Sequence, residues 1–221
     1  LIQILPINDT TSTHEWTDSY PYSAISVFAL HPIYLRIDDL NYAMPTSFKQ
    51  ELATAREKLN PLDKVDYEAV MRVKTKLTRR VFDKHRATIT ASAAFKEFLL
   101  ENGDWVIPYA VFCLKRDHYG TADFSQWAEW AVYDRKKVDE IAAPDHAAWP
   151  EISYHIWLQY ELDLQLADAV HHLHEKGLAL KGDLPIGIDR QSVDAWSAPH
   201  LFKMDAQAGA PPDDFAVKGQ N

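Results

Sequence analysis

Two short apolar runs frame a long region in which apolar residues recur at helical spacing. The runs occupy residues 1–7 and 178–185, and each is typical of a buried parallel strand. Gly177 precedes the second run, where it suits the left-handed turn that follows a helix, and Asp183 lies near the end of the run. We therefore predict an α/β fold in which the two strands lie side by side and parallel.

The region from about residue 45 to residue 145 is predicted to be helical. A helix over residues 48–59 is followed by a longer one, for which Asp66 is the predicted N-cap. Ser92 is predicted to begin another helix that ends before Gly103, and residues 105–119 again have helical spacing. A connection between two parallel strands usually contains one helix, and about a hundred helical residues are more than one helix can hold. We therefore predict an inserted helical subdomain. The predicted domains are 1–44, 45–145 and 146–221.

The longest predicted helix covers residues 151–176 and ends in a histidine cluster. His171 and His174 share a face, but no carboxylate at suitable spacing completes a metal site. A solvated helix end, where partly protonated histidine suits the helix dipole, is the favoured interpretation. We assign no metal site. Cys113 falls at an apolar helical position and is predicted to be a core thiol.

Composition and charge exclude several function classes. The net charge is −9, and no run of Lys and Arg exceeds the three residues Arg135–Lys137, so the basic surface of a nucleic-acid-binding protein is missing. No apolar run approaches the ~20 residues that a membrane span needs. Because Cys113 is the single cysteine, an internal disulfide is impossible and a reducing compartment is favoured. We expect a cytoplasmic protein without nucleic-acid or membrane partners.

Polar and aromatic residues follow both predicted strands. The loop of residues 8–23 combines acids with exposed-type aromatic residues, and Asp183 ends the second strand. In α/β folds, ligands bind at the carboxyl ends of parallel strands. Asp183 is therefore either a ligand-binding carboxylate or the cap of a turn, and Trp16 and Tyr20 either contact a ligand or pack the loop against the core.

Several motifs resemble those of one enzyme family in the same order along the chain. The motifs are Leu5–Asn8, Asp18–Ser23, Phe28–Leu35, Trp105, Pro108–Ala110, Phe112-Cys113, Ser125–Trp127, Lys181–Asp189, Ser192–Trp196, Pro199, Leu201-Phe202, Gly209–Asp213 and Gly219–Asn221. They resemble the amylomaltase, or 4-α-glucanotransferase, family (glycoside hydrolase family 77). The branch they resemble most is that of the plant cytosolic disproportionating enzyme and its bacterial relatives.

The resemblance implies a fold, a reaction and a set of substrate contacts. The fold would be part of a (β/α)8 TIM barrel, about strands 2–3, with a large helical insertion. The reaction would be retaining transfer of α-1,4-glucan units between malto-oligosaccharides, maltose, and starch- or glycogen-like glucan, without a cofactor. Aromatic rings would stack on the sugars and carboxylates would accept their hydroxyl hydrogen bonds. The implied substrate-binding residues are Ser19, Tyr22, Asp183, Pro199, Asp213 and Gln220. Tyr20 is an additional residue relative to the family's shorter motif.

The resemblance assigns no catalytic residue within this chain. Retaining transfer needs two carboxylates about 5 Å apart, and the family's pair belongs to motifs expected downstream of Asn221. Because the chain starts without methionine and ends within a motif, we expect a piece of a larger enzyme, whose remaining chain completes the barrel. Two alternatives stay open: an α-glucan hydrolase of the α-amylase clan, and a non-catalytic helical interaction domain.

Overall fold

The computed structural model describes residues 1–184, 187–206 and 209. Within them, six α-helices and two β-strands alternate with short 3-10 helices. In chain order the elements are β1 (Ile2–Gln3), α1 (Thr46–Leu59), α2 (Tyr67–Ala91), α3 (Ala93–Tyr119), α4 (Arg135–Ile141), α5 (Trp149–Glu175), β2 (Leu180–Lys181) and α6 (Val193–Ser197). The 3-10 helices are Trp16–Ser19, Pro32–Tyr34, Ile37–Asp39, Phe124–Gln126, Ala128–Trp130 and Pro199–Leu201.

The two strands lie side by side and parallel, as predicted. Ile2 pairs with Leu180 and Gln3 with Lys181. Each strand is two residues long, so the predicted extents of 1–7 and 178–185 are wrong. The prediction that they are buried is also wrong, since Leu1 is 77% exposed and Leu5 is 59% exposed. The reason is that each strand has one described neighbour, which leaves its other edge and its faces uncovered.

The predicted helix starts and stops are largely confirmed. The Asp66 carboxylate accepts a hydrogen bond of 3.0 Å from the backbone N–H of Ala69 and caps α2. Helices α1 and α5 begin two residues earlier than predicted. Gly177 adopts φ = +69°, the left-handed conformation expected after α5. Ser192 caps α6, because its hydroxyl accepts a hydrogen bond of 3.1 Å from the Ala195 N–H.

Helix α3 corrects one boundary. Ser92 does cap it, but the helix continues through Gly103 and Pro108 and ends at Tyr119 instead of stopping before Gly103. Both residues disfavour a helix interior. The residues after Pro108 are deeply buried, and Val111 and Phe112 are fully covered. Burial of this apolar face outweighs the weak local preference to end the helix.

The core lies between α2, α3 and α5, where aromatic side chains interlock. Phe82 packs against Trp157, and Phe112 packs against both Trp127 and Trp196. The same apolar cluster includes Ile25, Ala29 and Leu35 from the segment before α1. Residues of all three predicted domains therefore contribute to one hydrophobic cluster, and the boundaries at 44/45 and 145/146 stay predictions.

Two glutamines on α5 hold the segment that leads away from the loop after β1. Gln159 accepts a hydrogen bond from the Leu30 N–H (2.7 Å) and donates one to the Leu30 carbonyl (2.9 Å). Gln165 makes the same pair of bonds with Arg36, at 2.8 and 2.9 Å. These two glutamine clamps fasten residues 30–36 alongside α5.

The remaining residues singled out from the sequence are accounted for in the fold. Cys113 is 1% exposed, and burial raises the pKa of its thiol to about 12, which confirms a core thiol. His171 and His172 are exposed at the end of α5, and both contact Glu175. The described residues bring no three His, Cys, Asp or Glu side chains into a metal-binding group. None of the described helices combines the length and apolar character that crossing a bilayer requires.

Candidate functional site

Tyr22 and Asp183 meet where the two parallel strands end. Tyr22 follows β1 and Asp183 follows β2, and the Tyr22 hydroxyl donates a hydrogen bond of 2.8 Å to Asp183 Oδ2. The Tyr22 ring is 38% exposed and Asp183 is half-buried, so both face the solvent. The hydrogen bond to Asp183 raises the pKa of Tyr22, and the phenol therefore stays a donor beyond its ordinary range.

Asp183 makes a local turn contact and also faces Tyr22. Its Oδ1 accepts a hydrogen bond of 3.1 Å from the backbone N–H of Leu184, which is the local turn contact. Its Oδ2 faces Tyr22. A carboxylate has about four lone-pair sites. Two are used here, which leaves acceptor capacity for hydroxyl groups of a ligand.

The loop that carries Tyr22 is closed at its base by backbone hydrogen bonds. Asp9 N–H donates to the Ala29 carbonyl at 2.8 Å, and His31 N–H donates to the Ile7 carbonyl at 2.9 Å. The Ile25 N–H donates to the carbonyl of Asp9 at 2.7 Å. Residues 8–30 therefore form a compact loop, hereafter the substrate loop, whose two ends are fixed to each other.

Asp18 organises the tip of the substrate loop from inside. Its side chain is 3% exposed and accepts hydrogen bonds from the backbone N–H groups of Thr13 and His14 and from the hydroxyls of Ser12 and Thr13. His14 has φ = +63°, a conformation that non-glycine residues seldom adopt. Asp18 is therefore a structural acceptor, and its burial excludes it from direct ligand contact.

The helices hold the substrate loop from the opposite side. Arg116, on α3, is buried and donates to the Thr11 carbonyl at 2.6 Å. The same guanidinium donates to Asp117, whose carboxylate also contacts the His14 ring at 2.9 Å. Tyr109, also on α3, donates to Asp9 Oδ2 at 2.7 Å. The loop is thus attached to α3 at three points.

Ser19 lines a cleft whose lining includes neither Tyr22 nor Asp183. The cleft has a volume of about 890 Å³ and lies between the substrate loop and the start of α2. Trp16 and Tyr34, 68% and 54% exposed, present aromatic surface there, and Glu68 accepts a hydrogen bond from the Trp16 N–H at 3.1 Å. Exposed rings beside carboxylates and hydroxyls suit a polar ligand with apolar faces.

The other predicted site residues are not joined to this pair. Pro199 is exposed and begins the 3-10 helix after α6, and none of the hydrogen bonds of the described residues links it to Tyr22 or Asp183. Segment 192–197 does contact the substrate loop, because the Val27 N–H donates to Asp194 at 2.9 Å. Asp213 and Gln220 lie outside the described residues.

Asp9, Tyr109 and Arg116 are functional candidates that sequence reasoning missed. The sequence places Asp9 among several acids of the loop, and Tyr109 at a helical position within the Pro108–Ala110 motif. The one available signal was a carboxylate next to a predicted buried strand, since a buried carboxylate requires donors. Tyr109, which donates to Asp9, lies 100 residues away in the sequence, so local spacing could not identify it as the donor.

Comparisons with known proteins agree with the geometry. A family model described as 4-alpha-glucanotransferase matches residues 1–221. The 4-alpha-glucanotransferase DPE2 of Oryza sativa subsp. japonica is 45% identical over 221 residues, which are 100% of this chain and 23% of that protein. The 4-alpha-glucanotransferase of Chlamydia muridarum is 32% identical over 222 residues, which cover 100% of this chain and 40% of that protein.

Solved structures agree on the fold. The amylomaltase from Streptococcus agalactiae in complex with acarbose superposes with a TM-score of 0.74 at 24% identity, over 99% of this chain and 43% of that one. The amylomaltase from Corynebacterium glutamicum gives a TM-score of 0.62 at 21% identity, over 99% of this chain and 30% of that one. This chain therefore spans well under half of these relatives. The match over its whole length shows that the chain belongs to the 4-alpha-glucanotransferase family, glycoside hydrolase family 77.

Proposed function

We propose that this chain is the donor-binding part of a 4-α-glucanotransferase that moves α-1,4-glucan units between malto-oligosaccharides and glucans. The observation that carries the proposal is the hydrogen bond of 2.8 Å between Tyr22 and Asp183. It joins two residues that the family motifs imply as substrate contacts. It lies at the carboxyl ends of parallel strands, which is the ligand-binding end in α/β folds.

The proposed role of Asp183 is to hold the donor sugar instead of attacking it. Tyr22 fixes the carboxylate by one oxygen, and the Leu184 N–H fixes the other. The remaining lone pairs are then free to accept hydrogen bonds from sugar hydroxyls. These hydrogen bonds strengthen as charge develops at the reacting carbon. Because the carboxylate is already oriented, little reorganisation accompanies the reaction.

The nucleophile and the general acid are proposed to come from residues outside 1–221. Retaining transfer needs a carboxylate and a carboxylic acid about 5 Å apart. The two buried acids of the substrate loop do not suit these roles, since Asp9 and Asp18 are 1% and 3% exposed and are committed to hydrogen bonds inside the loop. We propose that further chain also covers the free edges of β1 and β2 and completes a (β/α)8 barrel.

The remaining substrate contacts follow from the same proposal. Ser19 and the rings of Trp16 and Tyr20 would contact a glucan beside the donor site. Pro199, Asp213 and Gln220 would contact glucan on the acceptor side, so Asp213→Ala should weaken acceptor use more than donor cleavage. The partners are maltose, malto-oligosaccharides and starch- or glycogen-like glucan. We propose a cytoplasmic location, which the unpaired Cys113 supports.

The two alternatives are less well supported. An interaction domain gives no reason for Tyr22 and Asp183 to meet at the surface, and that interpretation expected them to be distant or buried. A hydrolase would use the same donor contacts, so only the products separate it from a transferase. A hydrolase releases reducing sugar without an acceptor, whereas a transferase redistributes chain lengths.

The experiment uses the full-length polypeptide that contains this chain, incubated with maltotriose. We expect glucose and glucans longer than maltotriose. Asp183→Asn should lower the transfer rate ~10²–10³-fold, mainly in kcat, because the contact strengthens in the transition state. Asp189→Asn is the matched control: Asp189 is a half-buried aspartate of the same loop, and among the described residues its side chain accepts from the Gln191 N–H alone, at 2.8 Å.

The results separate the possibilities. Reducing sugar without longer glucans would identify a hydrolase, and no turnover at all would overturn the transferase proposal. An Asp183→Asn enzyme that transfers at the parental rate would contradict the donor-site role. An Asp183→Asn enzyme that unfolds while Asp189→Asn stays folded would make Asp183 a structural cap.

A further inference from the structure

A buried line of hydrogen bonds runs from α5 through α3 into the substrate loop. Gln159 Nε2 donates to the Tyr109 hydroxyl at 3.3 Å, and Tyr109 donates to Asp9 Oδ2 at 2.7 Å. Gln159, Tyr109 and Asp9 are 1%, 2% and 1% exposed. On the far side, Asp9 Oδ1 accepts from both the N–H and the hydroxyl of Thr11, at 3.0 and 2.7 Å. These four residues form what we call the Asp9 network.

The Asp9 network fixes the first turn of the substrate loop. A carboxylate withdrawn from water needs a donor on each oxygen, and Asp9 obtains them from Tyr109 and Thr11. Arg116 holds the same turn through the Thr11 carbonyl. The backbone of Asp9 is simultaneously bonded to Ala29 and Ile25. Any shift of residues 9–11 would leave a buried charge without a partner, so this turn has one favourable position.

The fixed turn is connected to the residues proposed to contact the donor. The Thr10 hydroxyl donates to the backbone carbonyl of Asp18, which is the hub of the loop tip. Ser19 follows Asp18 directly, and Tyr22 is three residues further along. Ser19 and Tyr22 are exposed, and among the described residues their side chains make one hydrogen bond, that of Tyr22 to Asp183. The backbone from which both side chains project follows Asp18, and the position of Asp18 depends on the turn at residues 9–11.

We propose that Tyr109 and Asp9 are positioning residues that set the place of Tyr22 beside Asp183 and of Ser19 in the neighbouring cleft. The helical region is then a rigid support of the donor site, in addition to its part in the core. The catalytic consequence rests on the proposed function, whereas the positioning of the loop does not.

The test compares two matched tyrosine substitutions in the full-length enzyme. Tyr109→Phe removes the donor to Asp9. Tyr154→Phe removes an equally buried hydroxyl from the same helical core: Tyr154 is 2% exposed and bonds the Thr78 hydroxyl at 2.8 Å, outside the Asp9 network. Tyr109→Phe breaks two buried hydrogen bonds, those with Asp9 and Gln159, and Tyr154→Phe breaks one, so both should lower thermal stability and Tyr109→Phe should lower it more.

The two variants should differ in the loop and in the reaction. With Tyr109→Phe we expect faster amide hydrogen exchange in residues 11–19 and a fall of about tenfold in kcat/KM for maltotriose transfer. With Tyr154→Phe we expect exchange in residues 11–19 and kcat/KM at parental values. Thr11→Val, which keeps the side-chain shape and the N–H donor but removes the hydroxyl that donates to Asp9 Oδ1, should change exchange and kcat/KM in the same direction as Tyr109→Phe and replaces it if that variant does not fold.

Two results would overturn the inference. One is parental exchange and parental kcat/KM in Tyr109→Phe and Thr11→Val. The other is an equal effect of Tyr154→Phe, which would make the change a general loss of stability. Hydrogen exchange needs no substrate, so it tests the positioning of the loop even if the enzyme transfers no glucan. A complete lack of transfer would contradict the proposed function and would leave the positioning proposal to the exchange result.

Discussion

The hydroxyl of Tyr22 donates a hydrogen bond to the carboxylate of Asp183 across 161 positions of sequence. The parallel pairing of Ile2 with Leu180 makes this contact possible, because it places the ends of both strands at one edge. The two side chains therefore act as a unit: the phenol orients the carboxylate, and the carboxylate keeps the phenol protonated.

The first prediction concerns that unit. Tyr22→Phe keeps the ring and removes the donor to Asp183, so we expect about a tenfold fall in kcat/KM for maltotriose transfer by the full-length enzyme. Tyr20→Phe is the control, because the Tyr20 ring lies 5.7 Å from that of Tyr22 and its hydroxyl has no hydrogen bond to the described residues. Equal rates for the two variants would remove the orienting role from Tyr22.

The second prediction concerns the isolated chain. Residues 1–221 alone should produce neither glucose nor longer glucans from maltotriose, because the proposed carboxylate pair lies outside them. Chromatography of the products after prolonged incubation checks this. Turnover that disappears on substitution of a carboxylate within the chain would locate the reaction here instead.

The third prediction concerns stability and pH. His155 on α5 is 9% exposed, and burial lowers the pKa of its imidazole from 6.5 to about 3. Below pH 6.5 the imidazole of His155 binds a proton in the unfolded chain but stays neutral in the folded chain. The free energy of unfolding therefore falls as the pH falls. Between pH 7 and pH 5 the loss from this residue should be about 2 kcal/mol.

Urea unfolding of the parent and of His155→Gln at pH 7, 6 and 5 measures this effect. The variant should show a flatter dependence on pH over that range. Some dependence should remain, because burial also lowers the pKa of His31. Identical slopes for parent and variant would contradict the assignment to His155.

The fourth prediction concerns the start of α2. Asp66→Ala removes the acceptor for the Ala69 N–H and should destabilise the fold by about 1 kcal/mol, lowering the melting temperature by about 2–4 °C. Asp63→Ala is the control, since Asp63 is an exposed acid in the preceding loop without a cap hydrogen bond. Thermal unfolding followed by circular dichroism measures the melting temperature of both variants. An equal decrease in the two would show that the lost negative charge, and not the lost cap, lowers the stability.

Local chemistry made part of the fold predictable. The caps at Asp66 and Ser92 and the turn at Gly177 depend on one or two neighbouring residues, and all three are confirmed. Cys113 was predictable as a core thiol because helical spacing placed it on an apolar face. The meeting of Tyr22 with Asp183 followed from two strands that end in polar loops.

The rest depended on distant partners. Strand length and burial are set by neighbouring strands, which the sequence of residues 1–7 does not specify. The continuation of α3 through Pro108 is decided by the aromatic core around Phe112, which local propensity does not register. The Asp9 network joins residues from the substrate loop, α3 and α5. No residue near Asp9 in the sequence indicates that Tyr109 is its donor.

The two glutamine clamps restrict which insertions and deletions the chain can accept. Gln159 and Gln165 are six residues apart on α5, and so are the backbones of Leu30 and Arg36 that they hold. Six helical residues advance about 9 Å, so the segment between the clamps must cover that same distance. A residue added between 30 and 36 would move one backbone out of reach of its amide. Length changes in this family branch should therefore avoid this segment and accumulate in exposed stretches such as residues 60–65.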